Sequence, residues 1–378
     1  MKKDYYIALT GRKKNIGDFL ITDRALKILK HFKPNDDFIV IPHWKTLDDK
    51  LDLVNNSKGI IILGGPGYQE NMYPGVYKLC SNLDDIKVPI YPMGMGWKGF
   101  PGDAFTVKCY KFTDSSLKLL SKISSSVKYL STRDHQTKLV LENAGIDNVL
   151  MSGCPVWYDL DSLNKDKRFL KIKKIVFTPA QDTKYKNQSV ETMEILKEKY
   201  PNAIIYCSFH RGVGVVDEFT PKYDAKNTEF LSREAKRIGL EVVDVSYDLD
   251  KIDFYDECDF HVGYRVHAHI YFISKRMRSI LIHEDGRGNG VSDALGTPGV
   301  NAYQRTKNSK KIELLSKKNI IAKFILKKAN VVIKVSDITN ELNEKLSIIE
   351  NDFEIFTKSY RFIDSNFEVM REFVESIK

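Results

Sequence analysis

Short runs of apolar residues alternate with helical patterns along the first half of the chain. Ile7-Ala8-Leu9 is followed by a turn-rich stretch, then by Phe19, Ile21, Ala25, Leu26 and Leu29 at helical spacing, which predicts a helix over 18–32. Phe38-Ile39-Val40-Ile41, Ile60-Ile61-Ile62-Leu63, Val88-Pro89-Ile90-Tyr91, Val127-Lys128-Tyr129-Leu130 and Val149-Leu150-Met151 predict further strands, with a helix over 134–144 between the last two. Unbroken apolar runs separated by helices are what a parallel sheet buried on both faces requires. A stretch of mixed charge without period, 155–171, reads as a linker. The pattern then restarts with Ile175-Val176-Phe177, a helix near 190–199, Ala203-Ile204-Ile205-Tyr206 and a helix near 229–238. Val242-Val243, Phe260-His261-Val262 and Ile280-Leu281-Ile282 predict later strands, and from Ser309 the chain reads as helix. The expected class is α/β, with two Rossmann-like domains (1–160 and 161–305) facing a cleft and a helical C-terminal extension over 306–378. A cleft between two such units is a usual place for a ligand.

Composition narrows the function classes. Hydrophobic residues make up 42% of the 378, enough for a large core. Cys80, Cys109, Cys154, Cys207 and Cys258 are scattered and never spaced as a CxxC pair, so a reduced cytoplasmic setting is expected and a disulfide or zinc framework is not. The opening Met1-Lys2-Lys3-Asp4 runs straight into a strand pattern, unlike a signal peptide, and no apolar stretch has the length of a membrane-spanning helix. Between Arg305 and Lys334 ten Lys and Arg stand against one acid, Glu313, so this segment alone carries the excess of the whole chain, +9. The rest is close to neutral, which argues against a nucleic-acid-binding surface.

Candidate chemistry gathers where strands end. In Asn15-Ile16-Gly17-Asp18, Gly17 permits a tight turn, Asp18 can cap the next helix, and the helix N-terminus favours an anion. Gly64-Gly65-Pro66-Gly67 follows a strand, and Gly94-Met95-Gly96 follows another; both let backbone N–H groups approach a ligand, and neither has the spacing of a P-loop or a dinucleotide fingerprint. In Ser131-Thr132-Arg133-Asp134, Arg133 either forks two donors to a carboxylate or phosphate or pairs with a nearby acid, and Asp134 caps the helix that follows. The densest cluster is Tyr264-Arg265-Val266-His267-Ala268-His269. On a regular helix Arg265 and His269 share a face and His267 points nearly opposite, so only a looser first turn brings Arg265 and His267 into one cleft. His269 reads as a buried structural histidine, and Glu284 to Gly290 as one more polar loop. No cluster of His, Cys and carboxylates has metal-ligand spacing, so no metal is expected.

These elements, in this order, resemble the polysaccharide pyruvyl transferases. That family carries an N-x-G-D turn, matched by Asn15, Gly17 and Asp18; a glycine loop, matched by Gly64 and Gly65 with Pro66 in place of a third glycine; and S-x-R-D, matched by Ser131, Arg133 and Asp134. It also carries R-x-H-A, matched by Arg265, His267 and Ala268, and an Asp loop, matched by Asp285 and Gly286. Gly153-Cys154-Pro155 departs from relatives that have Asp before the proline, and nothing beyond about Val300 matches. The resemblance implies a GT-B-like fold, phosphoenolpyruvate as donor and co-substrate without a further cofactor, and a sugar acceptor, lipid-linked or soluble, of a bacterial-type surface polysaccharide. It implies catalytic roles for His267 as general acid, Arg265 and Asp18, and donor binding by Arg133, Arg265, Gly64, Gly65, Asn15 and Gly17; Asp285, His269 and Arg211 are secondary candidates. A GT-B glycosyltransferase with a nucleotide-sugar donor and a non-catalytic glycan-binding subunit are the alternatives. Segment 310–328 interleaves lysines with Ile312, Leu314, Leu315, Ile320, Ile321, Phe324 and Ile325. It reads either as a surface helix or as an interfacial helix that holds the enzyme at the anionic inner face of the plasma membrane.

Overall fold

The first strand, β1 (Tyr5–Thr10), is buried along its whole length in the computed structural model, which describes residues 4–166, 171–307, 309–310, 332–351 and 354–378. It is flanked on both sides by parallel strands, in the order β2 (Asp37–Pro42), β1, β3 (Ile60–Leu63), β4 (Ile90–Met93). A parallel pair, β5 (Leu130–Thr132) and β6 (Val149–Met151), continues this layer through a bridge between Met95 and Thr132. Helices α1 (Ile16–Phe32), α2 (Leu51–Asn55), α3 (Ala104–Cys109), α4 (Asp114–Ser126) and α5 (His135–Glu142) connect these strands.

The second sheet is fully parallel. Its strands are β7 (Lys174–Thr178), β8 (Ile204–Phe209), β9 (Glu241–Asp244), β10 (Phe260–Gly263), β11 (Arg278–His283) and β12 (Gly299–Asn301), in spatial order β12-β11-β10-β7-β8-β9. Helices α6 (Lys186–Lys199), α7 (Lys222–Ile238), α8 (Val266–Ser274) and α9 (Gly286–Leu295) complete the unit. The winding reverses between β1 and β3 in the first sheet and between β7 and β10 in the second, the two places where open α/β sheets bind ligands. Two Rossmann-like units therefore face a cleft, in the GT-B-like arrangement, with helices at the C-terminal end.

Four readings of the sequence are corrected. The expected linker begins with Pro155, Val156, Trp157 and Tyr158, all buried, so its first part is core packed on α1 and α8 rather than exposed connection; 167–170 lie outside the described residues. The polar loop after β11 is helical from Gly286. Three glycines weaken its helical signal, yet their bareness lets α9 sit close: a Cβ on Gly286 would lie 2.8 Å from Gly102, and one on Gly290 2.8 Å from the Asp134 carboxyl carbon. Helix α1 starts at Ile16 with Asn15 at its cap, so Asp18 lies in the first turn and does not cap it. Finally, the C-terminal region contains a strand: β14 (Ile333–Val335) pairs antiparallel with β13 (Tyr303–Arg305) before α10 (Thr339–Asn351) and α11 (Glu354–Ser376). The basic segment 310–328 lies, beyond Lys310, outside the described residues.

Helix α11 ties the two units together. It buries Phe356, Tyr360, Ile363, Met370, Phe373 and Val374 against α1, α8, α9 and β6. Tyr6 of β1 donates its hydroxyl to the Lys378 carbonyl at 2.9 Å, and Lys33 donates to the Ile377 carbonyl at 2.7 Å. On the other side, the fully buried Lys14 reaches Asp217 of the second unit at 2.8 Å, and the Ile16 N–H donates to the His210 carbonyl at 3.1 Å.

Candidate active site

On the second unit, the turn between β10 and α8 places the Arg-His pair. Arg265 is the helix cap, with extended backbone (φ −91°, ψ 106°), and Val266 is the first helical residue. Arg265 is thus not on a helical face with His269, and Arg265 and His267 are both half-buried at the cleft. Arg265 donates to Gln181 Oε1 at 2.6 Å, and its Nε is buried without a partner among the described residues. His267 lies against the first turn of α1: a Cβ on Gly17 would be 2.8 Å from His267 Nδ1, so only glycine fits there. Its Nε2 is also buried without a partner among the described residues. His269 is different. It is fully buried, with Nδ1 2.7 Å from Ser279 Oγ and Nε2 3.0 Å from Thr297 Oγ1. Through Ser279 it joins His261, whose other nitrogen is 2.9 Å from Thr178 Oγ1.

Neighbouring strand ends supply more charge. After β11, Asp285 caps α9 and holds the Arg287 guanidinium with two donors, from Nε at 2.9 Å and Nη2 at 2.7 Å. After β8, Arg211 donates to the Phe219 carbonyl at 2.9 Å and leaves its Nε buried without a partner among the described residues. The fields of Arg211, Arg287 and Glu284 all reach Arg265, whose guanidinium is pulled down to about 10 by burial first, with Glu284 opposing. Lys98, after β4, is exposed, and its pKa is lowered chiefly by the nearby Arg287 guanidinium. The cleft wall is therefore a cluster of cations with fewer acids between them, a place where a small polyanion gains from every side.

On the first unit, a cavity of about 220 Å³ opens at the winding reversal, between the ends of β1 and β3. Lys13, Asp18, His43, Gln69 and Tyr77 line it, with the backbone of Gly64 to Gly67 as its floor. Gly64 and Gly65 have φ of +66° and +81°, which side chains rarely adopt; Gly64 packs on Ile21, whereas a Cβ on Gly65 would meet nothing. Asn15 donates to the Asp18 carboxylate at 3.1 Å. Burial pushes the Asp18 carboxyl up to about 6, opposed by that hydrogen bond and by Arg211, Arg287 and Lys13.

Arg133 does not present a fork to the cleft. It is 1% exposed, with Nε bonded to Asp134 at 3.1 Å and its guanidinium filling the space that a Cβ on Gly96 would need. Asp134 caps α5 by accepting from the Thr137 N–H at 2.7 Å. What Arg133 contributes is a field: with burial as the larger cause, Arg133 and Arg287 push His267 down to about 3, so its imidazole is neutral in the free cleft. Among the described residues, no group of three His, Cys, Asp or Glu is placed to hold a metal ion.

Several site residues escaped the sequence motifs. Arg287 stands two positions after Asp285, within the polar loop but without an assigned role; Lys98, Gln181, Lys13 and His43 stand just past strand ends and carry no motif. The signal that could have found them is position alone: each lies within a few residues of the end of a buried strand, whatever short pattern surrounds it.

No curated protein matches the chain. Among solved structures, S. aureus MnaA with UDP is 12% identical with a TM-score of 0.49, over 92% of this chain and 97% of its own. The UDP-GlcNAc 2-epimerase of Methanocaldococcus jannaschii, with UDP-GlcNAc and UDP, is 11% identical with a TM-score of 0.46, over 91% and 99%. Anabaena HepE with UDP and glucose is 9% identical with a TM-score of 0.45, over 99% and 97%. The profile of the polysaccharide pyruvyl transferase family matches residues 15–282, from the Asn15 turn through β11, and the chain belongs to that family.

Proposed function

We propose that the protein transfers the pyruvyl group of phosphoenolpyruvate to two hydroxyls of one sugar residue, forming a cyclic ketal and releasing phosphate. The observation that carries this reading is the gathering of Arg211, Arg265 and Lys98 about Arg287, whose field also reaches His267, together with a cavity of sugar-like scale on the first unit. The donor is small and carries both a phosphate and a carboxylate, so it needs several cations close together rather than an apolar pocket.

The reaction adds a proton to the donor's methylene carbon and makes C2 electrophilic. One sugar oxygen bonds to C2, the C2–O bond to phosphate breaks with its electron pair leaving on phosphate, and the second sugar oxygen closes the ring. Of the two protons lost by the sugar, one balances the new methyl group and the other leaves on phosphate. His267 is the group we assign to protonate the methylene carbon, Arg265 and Arg287 hold the donor's anions, and the buried Arg133 adds its field at His267. Asp18, with a pKa near neutrality, takes the proton of the first attacking hydroxyl. A cytoplasmic setting goes with this donor, and among the described residues no helix is long and apolar enough to cross a membrane.

The test is donor transfer with purified protein. Phosphoenolpyruvate and a panel of p-nitrophenyl hexosides and N-acetylhexosaminides are expected to give phosphate and an acid-labile pyruvylated sugar. Transfer of a sugar from a nucleotide-sugar donor instead would replace this reading by the glycosyltransferase one.

A further inference from the structure

The cavity at the winding reversal of the first sheet holds an imidazole to which the proposed mechanism gives no part. His43 follows β2, and its backbone is pinned by bonds to Thr10 and Lys78. Its Nδ1 lies 2.8 Å from the Val76 carbonyl oxygen, which can only accept, so Nδ1 carries the hydrogen and Nε2 keeps a lone pair. Burial, with Lys13 adding to it and the Val76 bond opposing, lowers its proton affinity, so the ring is neutral. That lone pair and the Asp18 carboxyl converge. A Cβ on Gly11 would sit 3.4 Å from His43 Nε2 and 3.8 Å from the Asp18 carboxyl carbon, and the bare glycine leaves that space open. Lys13, Gln69 and Tyr77 share the same cavity wall.

We propose that His43 is a second catalytic base, which takes the proton of the sugar hydroxyl that closes the ketal ring. This rests on the reading of the reaction above. Ketal formation needs two deprotonations on neighbouring oxygens of one sugar, and two bases flanking one gap meet that need better than one. After the C2–phosphate bond breaks, C2 is an oxocarbenium ion already joined to the first sugar oxygen. The second oxygen bonds to C2 while its proton moves to His43 Nε2, and that proton then passes to the released phosphate, giving hydrogen phosphate. Without His43 the second hydroxyl is a weak nucleophile, and water competes for C2. The resulting hemiketal falls apart to pyruvate and unchanged sugar.

The variants His43→Gln and His43→Ala therefore have a specific signature. Wild-type protein with phosphoenolpyruvate and the p-nitrophenyl glycosides is expected to release phosphate and ketal in equal amounts. The variants are expected to release several-fold more phosphate than ketal, with free pyruvate making up the difference and donor affinity by calorimetry unchanged. Equal phosphate and ketal in the variants, at the wild-type rate or with both falling together, overturns the proposal. A second measurement needs no acceptor: nitrogen-15 NMR of the histidines should show His43 neutral with its hydrogen on Nδ1, and a hydrogen on Nε2 at neutral pH overturns it too. A wild-type protein that makes no ketal from any acceptor sinks the reading of the reaction itself, which these arms keep separate from the role of His43.

Discussion

If His267 is to deliver a proton, it must first acquire one, and the free cleft denies it. Burial, then Arg133 and Arg287, hold it at about 3. Two unit charges 4 Å apart interact by about 4 kcal/mol at an effective dielectric constant of about 20. At about 1.4 kcal/mol per pKa unit, one anionic charge at that distance lifts the imidazole by about three units. One donor charge thus brings it to about 6, and a second, farther off, carries it into the neutral range. Donor binding should therefore draw a proton from solution. The assay is calorimetry of phosphoenolpyruvate binding in buffers of different ionisation heat, between about pH 6 and about pH 8, where the buffer dependence reports protons taken up. The phosphate's own ionisation, near pH 6, sheds protons on meeting cations and would mask the effect. The quantity to read is therefore the difference between wild type and His267→Gln, expected to be a sizeable fraction of a proton that grows as pH falls. A difference of zero refutes the assignment of His267 as the acid. Turnover of His267→Gln should also fall by roughly a hundredfold to ten-thousandfold.

Arg265→Lys and Arg287→Lys should each weaken phosphoenolpyruvate binding by about tenfold or more, because a point charge replaces a planar fork; unchanged affinity in calorimetry removes them from the donor site. His210, His261 and His269 are fully buried or nearly so, and each has its pKa lowered mainly by burial. The unfolded chain binds protons that these native imidazoles refuse, so stability is lost as pH falls below the unfolded value of about 6.5, by up to about 4 kcal/mol per pH unit for the three. Asp18, Glu284 and Glu191, raised in the fold, work with the opposite sign, but His43, His267 and His283 are lowered as well, so six imidazoles stand against three carboxyls; denaturant midpoints that hold steady from neutral pH down to about 5 contradict this. A chelator should leave ketal formation unchanged, and full loss restored by one divalent ion would show the contrary. Anionic liposomes should sediment the protein at low salt, less so at physiological salt, and less again after Lys317, Lys318, Lys327 and Lys328 are reversed to Glu; equal recovery with neutral vesicles removes the membrane reading of 310–328.

The strand-end positions of the candidate groups were legible because each motif directly follows an apolar run, and the apolar runs are the strands. What could not be read is which strand ends meet. Gly17 and His267 touch across the cleft, but nothing local in either motif says that a glycine is needed there to admit an imidazole. The same gap explains Arg133: its sequence context suits an anion fork, and only the placement of Gly96 and Asp134 turns it into a buried support. Helix α9 was hidden by its own glycines, whose low helix propensity is overridden by the close packing they allow. Trp157 and Tyr158 looked like linker because the buried run, 155–159, is too short to show a period. His43 had no motif at all, and its interest comes from a carbonyl acceptor contributed by Val76.

The clasp of α11 on β1 bears on how the polypeptide matures as it is synthesised. The first sheet is translated early, yet one face of α1 and the Tyr6 hydroxyl find their partners only in α11 and the residues that follow it. A nascent chain arrested anywhere before α11 leaves exposed the apolar faces of α1, α8 and α9 that this helix covers. Such a fragment has every motif of the cleft without the helix that packs on both units. A chain cut short of α11 is therefore expected to expose those apolar faces, the kind of surface that chaperones and proteases recognise.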